Sequence, residues 1–380
     1  MPHTVEAPQQ SAVYNTWLEI RLDRLLENLR VIQSCQSAET QVMAVVKANA
    51  YGHGLIGTAK CLAPRVRYLA VSSLYEAAEL RKHGIETPVF LLSRLLPDET
   101  AHAVLFENLT LSVSSYEEAS ELSAQALRLE RKPKVHIKID TGMGRLGIPF
   151  GEGVKTVEKI AALPHLQLEG IYTHFPAAEK SDGFSETQVR DFTLLLQALE
   201  KKDITFEFRH AANSAGSLKI KTLVFNMIRP GLMLYGVYPD PSLRPLAQVS
   251  PALSLKSRII SLKRFQPGQT IGYGREHIVD KPTTIALLPA GYSHGYPVRA
   301  SHKAHALVQG EIRPLAGRIS MDYLTVDLGS LPARIGDEVI LIGESNDQRI
   351  LAEDVAGWAG TIPYEILTRL SAAMPRRYLS

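Results

Sequence analysis

Short runs of β-branched and other apolar residues alternate with helix-like stretches, and this alternation limits the possible folds more than any other feature. The runs number eight, at residues 42–46, 68–72, 88–92, 109–113, 134–139, 166–172, 204–208 and 223–228. Strands separated by helices are typical of βαβ units and a parallel sheet. An open, doubly wound sheet is the alternative, but a count of eight favours a closed barrel. The alternation therefore predicts an α/β fold built on a (β/α)8, TIM-type barrel.

The pattern changes after about residue 245, where strand-like runs separated by Gly or Pro turns replace the alternation. These runs predict a β-rich C-terminal domain over residues 246–380, following a barrel domain over residues 16–245. A first strand is expected at residues 16–22 and could pair with the C-terminal domain. Residues 1–15 have neither a basic start nor an apolar stretch, which predicts a short disordered lead rather than a signal peptide.

The composition excludes several classes of protein. The 42 basic and 39 acidic residues give a net charge of +3, so the overall charge predicts neither nucleic acid nor an anionic membrane as a partner. The two cysteines, Cys35 and Cys61, form no C-x-x-C pair, which argues against a zinc site or a disulfide framework. We therefore expect no metal, and the cysteine usage fits a cytoplasmic protein. No run approaches about 18 apolar residues, so no membrane-spanning helix is expected.

Lys47 follows the apolar run at residues 42–46 and opens a loop of sequence KANAYGHG. A lysine at the mouth of a buried strand is partly desolvated, which favours its neutral amine and hence Schiff-base chemistry. Tyr51 and the two glycines behind it suit a bound anion, because glycine allows a ligand to approach the backbone closely. A lysine that extends its amine into water is the simpler interpretation, and position alone favours it. The choice depends on the rest of the chain.

Other polar residues lie at predicted strand ends, where barrels of this type carry their function. The fifth run places His136, Lys138 and Asp140 on one face, which predicts a polar barrel interior. The glycine-rich loop that follows carries Arg145, whose guanidinium could bind both oxygens of a carboxylate or simply extend into solvent. The sixth run leads to His174, which could also be a hydrogen-bonded core residue. These residues are candidates for one site.

A phosphate site is predicted in the last two strand-end loops. After the seventh run, the segment HAANSAG is typical of a helix start, with Asn213 or Ser214 as its cap. Helix N-termini bind phosphate, and barrels often bind phosphate between the loops after strands seven and eight. Ser214 and Gly231 fall in those two loops. Capping alone is the other explanation for Ser214, and the paired placement favours phosphate.

The chain resembles the alanine racemases. The matching segments, in family order between residues 44 and 365, are AVVKANAYGHG, KIDTGMGRLG, YTHF, HAANSAG, RPGLMLYG, IGYGR, GRISMD and TIPYE. The first is highly specific, whereas IGYGR or TIPYE alone would be weak. The resemblance implies a pyridoxal 5′-phosphate barrel of fold type III with a C-terminal β domain, working as a homodimer with shared active sites. It also implies that L- and D-alanine are interconverted to supply D-alanine for peptidoglycan.

The same resemblance implies a role for each matching residue. Lys47 would hold the cofactor and act as one catalytic base, and Tyr273 from the partner chain would act as the other. The residues implied in cofactor binding are Lys47, Tyr51, His174, Asn213, Ser214, Arg229, Gly231 and Tyr364. Arg145 and Met321 are implied in binding the substrate carboxylate. The residues implied in supporting the site are Lys138, His210, Tyr292 and Asp322.

Three alternatives use related scaffolds. A broader amino-acid racemase would share these residues, because sequence constrains poorly the side chains that bound the substrate. A basic-amino-acid decarboxylase would carry a Gly-Gly-Gly phosphate loop and a cysteine motif in its C-terminal domain, and this chain has neither. A non-enzymatic pyridoxal-phosphate-binding homeostasis protein would lack the domain beyond residue 245, and with it Tyr273. The sequence therefore favours the racemases.

Overall fold

The computed structural model describes residues 14–380. Within this range the chain forms two compact units, one of residues 22–252 and one that joins the N-terminal strand to residues 253–380. The disordered lead expected at residues 1–15 falls mainly on residues outside the described range. In the described part of the chain, no helix has the length and apolar character needed to cross a membrane.

A closed ring of eight parallel strands forms the core of the first unit. In chain order, barrel strands one to eight are Gln41–Val45, Tyr68–Val71, Val89–Leu91, Leu109–Val113, Lys134–Asp140, Gln167–Tyr172, Phe208–His210 and Met227–Ile228. Strand one pairs with strands two and eight, and strand four pairs with strand five, so the ring has no open edge. The predicted (β/α)8 barrel is confirmed, and an open sheet is excluded.

The helices of this unit each bury one face. Apolar residues at three- and four-residue spacing produce such a face, as Leu25, Leu29 and Ile32 do in the first helix. The bounds of the helices are Leu22–Ser34, Leu55–Leu62, Leu74–Lys82, Pro97–Leu105, Tyr116–Arg128, Gly153–Ala161, Phe184–Glu200 and Ser214–Lys219.

The interior of the barrel is polar and aromatic. His136 on strand five contacts the rings of Tyr68, Phe90 and Phe208, which come from strands two, three and seven and can meet only inside the ring. Lys138, two residues further along strand five, is also buried, and its amine lies 5.5 Å from the centre of the Tyr172 ring. This is the interior face expected from the alternation in strand five.

The second unit is rich in β-structure, as predicted. Its first strand, Thr16–Arg21, pairs antiparallel with Leu253–Arg258 and parallel with Arg376–Leu379. The remaining strands are Ser261–Phe265, Thr270–Ile271, His277–Ile278, Thr283–Leu288, His305–Val308, Glu311–Pro314, Leu324–Gly329, Glu338–Ser345 and Gln348–Ile350, with helices Ala352–Ala359 and Pro363–Arg369.

The two units divide after Ala252, later than the sequence pattern suggested. Asn28, on the first barrel helix, donates to the carbonyl of Ser250 at 2.9 Å, and the Ser250 amide donates back to the Asn28 side chain at 2.8 Å. Arg24 of the same helix donates to the carbonyl of Pro251. These contacts attach the segment after residue 245 to the barrel, although its composition already resembles that of the β-rich unit.

Candidate active site

Lys47 lies where barrel strand one ends, and the backbone behind it follows an unusual path. The four residues from Ala48 to Tyr51 have φ between 51° and 55°, and Gly52 continues the turn with φ of 80°. Left-handed backbone is disfavoured for residues that carry a Cβ, and a run of four such residues is rare. Lys47 therefore lies directly before a strained left-handed turn, which the sequence did not predict.

Lys47 belongs to a group of basic side chains at the carboxyl end of the barrel, together with Lys138, Arg145 and Arg229. Burial lowers the pKa of the Lys47 amine, and the charge of Arg145 lowers it further. Burial, followed by the charges of Arg145 and Arg229, lowers the pKa of Lys138 to about 8. A concentration of positive charge with low-dielectric walls attracts an anion. It also favours the neutral form of the lysine amines, which is the nucleophilic form.

Arg229 follows strand eight and is almost fully buried. Its guanidinium donates to the carbonyls of Thr173 at 2.8 Å and Ala211 at 3.0 Å, and to imidazole nitrogens of His210 at 2.6 Å and His174 at 3.0 Å. Burial lowers the pKa of Arg229 to about 10, which still leaves the group positively charged at neutral pH. The group is a fixed donor, because a guanidinium accepts no hydrogen bond.

A chain of hydrogen bonds through two buried histidines links the Arg229 guanidinium to the carboxylate of Glu169. His210 Nε2 lies 2.8 Å from His136 Nδ1, and His136 Nε2 lies 3.2 Å from Glu169 Oε2. Burial lowers the pKa of both imidazoles, which are therefore neutral. Since Arg229 can only donate, His210 accepts at Nδ1 and carries its proton on Nε2, and His136 does likewise. All the donors in this relay point from the arginine towards Glu169.

Glu169 is the acidic end of the relay. Lys134 donates to Oε1 of Glu169 at 2.5 Å, and the Tyr68 hydroxyl donates to Oε2, the oxygen that His136 contacts. Although burial opposes ionisation, the hydrogen bonds from His136, Lys134 and Tyr68 lower the pKa of Glu169 to about 2. Sequence reasoning missed this residue, and the available signal was a charged residue inside the sixth strand-like run, LQLEGIY. Glu169 is therefore the buried, ionised group at which the relay ends, and Lys134 is its direct ion-pair partner.

Replacing Glu169 with Gln should lower the free energy of unfolding at neutral pH by about 3 kcal/mol. The folded-state pKa of about 2 lies below the ordinary value of 4.5, so ionised Glu169 stabilises the fold fully above pH 4.5. That contribution is lost as the pH falls towards 2. Urea unfolding at neutral pH and near pH 3 should show a difference between wild type and Glu169→Gln that shrinks in acid. A difference independent of pH would contradict the role of the charge, and the exposed Glu27→Gln serves as control.

The loops after strands seven and eight meet around Ser214. The amides of Gly231 and Met233 donate to its hydroxyl at 3.0 Å and 3.3 Å. Asn213 caps the helix that Ser214 begins, accepting from the Gly216 amide at 2.9 Å. The structure therefore assigns the capping role to Asn213, and Ser214 joins the two loops in which phosphate was predicted.

Tyr51 approaches the same place from the loop after strand one. A Cβ at Gly231 would lie 2.6 Å from the Tyr51 hydroxyl, so only glycine leaves room for that hydroxyl. The Tyr51 ring stacks on Tyr235 at a centroid distance of 5.0 Å, and the Tyr235 hydroxyl donates to the carbonyl of Val45. The predicted residues Tyr51, Ser214 and Gly231 are thus brought together.

Arg145 lies on a loop that Asp140 organises. The Asp140 carboxylate accepts from the amides of Gly142 at 2.9 Å, Met143 at 2.8 Å and Gly144 at 2.9 Å. Burial opposes ionisation of Asp140, but these backbone donors lower its pKa overall. Arg145 itself is exposed. The loop therefore presents a guanidinium at the carboxyl end of the barrel on a rigid, charged anchor.

His174 stands beside this loop and is held from two sides. It accepts from Arg229 at Nδ1, and its carbonyl accepts from the Gln188 side chain at 3.2 Å. Burial and the neighbouring charge of Arg229 hold the pKa of His174 well below its ordinary value. A neutral His174 therefore carries its proton on Nε2, the nitrogen on the opposite side from Arg229.

Five of the candidate residues lie in the C-terminal unit. Tyr273, which is 70% exposed, lies on a turn between Gly272 and Gly274, which have φ of 77° and 74°. Tyr364 is the second residue of the helix Pro363–Arg369, and its carbonyl accepts from the Thr368 hydroxyl at 2.7 Å.

Tyr292, Met321 and Asp322 are neighbours in this unit. The amide of Ser293 donates to the Met321 carbonyl at 2.9 Å, and its hydroxyl donates to Asp322 at 2.8 Å. A Cβ at Gly291 would lie 2.4 Å from the Met321 carbonyl oxygen, so this contact requires glycine. The two loops that carry Tyr292 and Met321 are therefore packed backbone to backbone. Among residues 14–380, no cluster of side chains has the composition of a metal site.

Comparison with known proteins gives a consistent result along the chain. The family described as alanine racemase, N-terminal domain, matches residues 20–239, and alanine racemase, C-terminal domain, matches residues 252–378. An alanine racemase from Desulforamulus reducens is 38% identical over 368 residues, which is 96% of this chain and 98% of that protein.

Solved structures agree with the sequence relatives. Alanine racemase from Clostridium difficile 630 has a TM-score of 0.91 and 34% identity, covering 97% of each chain. Alanine racemase from Bacillus anthracis with bound L-Ala-P has a TM-score of 0.90 and 33% identity, covering 97% of this chain and 96% of that one. Both matching domains, in order and over nearly the full length, show that this chain belongs to the alanine racemase family.

Proposed function

We propose that this protein is an isomerase that interconverts L-alanine and D-alanine with pyridoxal 5′-phosphate as cofactor. Family membership supports the reaction, and the L-Ala-P bound to the Bacillus anthracis relative supports a small ligand related to alanine. The observation that carries the proposal is Lys47, a half-buried amine with a lowered pKa among other basic groups. Such an amine can bond to an aldehyde and can later accept a proton.

The residues of the barrel fit pyridoxal phosphate. The Tyr51 hydroxyl packs against Gly231, whose amide donates to Ser214, so these three residues meet at the loops where barrels often bind phosphate. The basic cluster matches its charge. Lys47 would hold the aldehyde carbon, and the other residues proposed to hold the group are Tyr51, His174, Asn213, Ser214, Arg229, Gly231 and Tyr364. When bound, the cofactor withdraws electrons from the substrate α-carbon and makes its proton removable.

Arg229 would donate a hydrogen bond to the ring nitrogen without giving up its proton. Its pKa of about 10 keeps the proton on the guanidinium at neutral pH. The relay to Glu169 holds the guanidinium in place through His210. Because Arg229 would leave the ring nitrogen unprotonated, the bound group would be a weaker electron acceptor than one protonated beside a carboxylate, which would favour return of the proton to the α-carbon.

Racemisation removes a proton from one face of the α-carbon and returns a proton to the other face. Two bases fixed on opposite faces avoid any reorientation of the substrate. We propose Lys47 for the face that carries the proton of D-alanine and Tyr273 for the face of L-alanine. The family resemblance supports a homodimer in which Tyr273 reaches the site of the neighbouring chain, consistent with its exposed turn.

The remaining candidates would bind and enclose the substrate. Arg145 and the backbone at Met321 would bind the carboxylate, because a guanidinium matches two carboxylate oxygens. Tyr292 and Tyr364 would narrow the entrance. Lys138, His210 and Asp322 would support these groups, as their buried or hydrogen-bonded positions allow. A cytoplasmic location and a supply of D-alanine for peptidoglycan complete the proposal.

Incubation with L-alanine in deuterated buffer should yield D-alanine that carries deuterium at the α-carbon. Chiral chromatography with mass spectrometry measures both the enantiomer and the label. Borohydride should fix the cofactor to the protein, with the added mass on the peptide that contains Lys47. Release of carbon dioxide from lysine or ornithine, or equal turnover of larger amino acids, would contradict the proposed reaction.

A further inference from the structure

Two segments of the barrel carry nearly the same sequence. Residues 71–80 read VSSLYEAAEL and residues 113–122 read VSSYEEASEL, with the same residue at seven of the ten positions. They follow barrel strands two and four, and each begins a helix. Each contains a glutamate in the first turn of that helix, Glu76 in the first segment and Glu118 in the second.

The two glutamates cap their helices in the same way. In each segment the glutamate amide donates to the hydroxyl of the N-cap serine at 3.2 Å. One carboxylate oxygen, Oε2, accepts from the amide of the serine before that, at 2.9 Å for Glu76 and 2.8 Å for Glu118. Up to this point the segments are equivalent, and each glutamate completes a helix cap.

The second carboxylate oxygens differ. Oε1 of Glu76 accepts from the backbone amides of Ala48 at 2.6 Å and Asn49 at 3.4 Å, in the turn that follows Lys47. Oε1 of Glu118 is buried and has no hydrogen-bond partner among the described residues. The topology explains the difference, because strand two pairs with strand one and so places Glu76 beside the loop after Lys47.

The turn that Glu76 contacts is the strained one. Each residue with a Cβ in left-handed backbone is disfavoured by roughly tenfold, and four follow one another from Ala48 to Tyr51. Asn49 adds a local contact, because its side chain accepts from the Leu55 amide at 2.8 Å. Glu76 supplies contacts from a different βα unit, at the residue directly after Lys47.

We propose that Glu76 is a positioning residue that holds this left-handed turn and thereby places the Lys47 amine for catalysis. The inference rests on the proposed catalytic role of Lys47. A carboxylate suits the task because it accepts on both oxygens at once, so that one side chain joins the cap of the helix Leu74–Lys82 to the loop after strand one.

Glu118 offers a matched control, because Glu76→Ala and Glu118→Ala both remove a helix cap and only the first removes a contact to the Lys47 turn. The two variants are compared as full-length holoenzymes, and thermal unfolding should show that both fold. Glu76→Ala should lower kcat by roughly ten- to a hundredfold with little change in KM. That loss corresponds to the free energy of hydrogen bonds to a charged acceptor. Glu118→Ala should stay within about twofold of wild type.

Hydrogen exchange gives a second measurement that needs no turnover. A peptide covering residues 46–55 should exchange at least about tenfold faster in Glu76→Ala than in wild type or Glu118→Ala. Adding Ala48→Gly to Glu76→Ala should restore kcat by about fivefold or more, because glycine adopts positive φ without penalty.

Equal losses of kcat in the two alanine variants would reduce Glu76 to an ordinary helix cap and overturn the proposal. So would unchanged exchange over residues 46–55, or a double variant as slow as Glu76→Ala alone. Failure of the proposed function would look different. An active Lys47→Arg protein would remove the catalytic role of Lys47, while the exchange data would still report whether Glu76 holds the turn.

Discussion

Replacing Lys47 with Arg should reduce racemisation by about 10⁴-fold or more, from either enantiomer of alanine. Arginine keeps the positive charge and a similar length, but its guanidinium stays protonated and cannot bond to an aldehyde or accept the α-proton. Lysine can do both at this position, because burial and the charge of Arg145 lower the pKa of its amine. Chiral chromatography of the alanine pool measures the loss.

The control for this substitution is Lys60→Arg, which makes the same exchange on the exposed face of the helix Leu55–Leu62. That variant should racemise alanine at the wild-type rate in the same assay, and both variants should unfold at similar temperatures. Full activity in Lys47→Arg would remove the basis of the proposed chemistry, because no other lysine follows barrel strand one directly.

Periodicity predicted the barrel because each buried strand carries its own apolar run. The fifth run was expected at residues 134–139, and the strand is Lys134–Asp140. The seventh was expected at residues 204–208, and the strand is Phe208–His210. There the amide of Ile204 donates to the preceding helix at Leu199, so the apolar residues before Phe208 close a helix end instead of joining the sheet.

Strand-end position also predicted most of the barrel candidates. Lys47, Arg145 and His174 all follow strands, and the carboxyl ends of parallel strands converge at one end of a barrel, whereas a role for Arg229 came only from the family resemblance. Glu169 and Glu76 could not be found in this way. Glu169 lies within strand six, and its importance depends on contacts with residues from other strands. Glu76 has the sequence signature of a helix cap, and its twin Glu118 shows that the signature does not reveal the second contact.

Replacing Tyr273 with Phe should lower racemisation by about 10²–10⁴-fold, because the phenol that would serve the face of L-alanine is lost while the ring remains. Tyr378→Phe is the control, since Tyr378 is also exposed and lies on the strand Arg376–Leu379, among residues with no role in the proposed reaction. If Tyr273→Phe retained full activity, a different group would have to serve that face, and the two-base proposal would be wrong.

Pairing the two defective chains tests whether the catalytic centre is shared. Each variant dimer, Lys47→Arg or Tyr273→Phe, would lack one base in both of its sites. In a mixed dimer, one site would receive the intact Lys47 and the intact Tyr273 from different chains, and the other site would receive neither. Random pairing makes half of the dimers mixed, so co-expression should restore about a quarter of wild-type activity. A site completed within a single chain would give no recovery, because every chain in the mixture lacks one of the two bases.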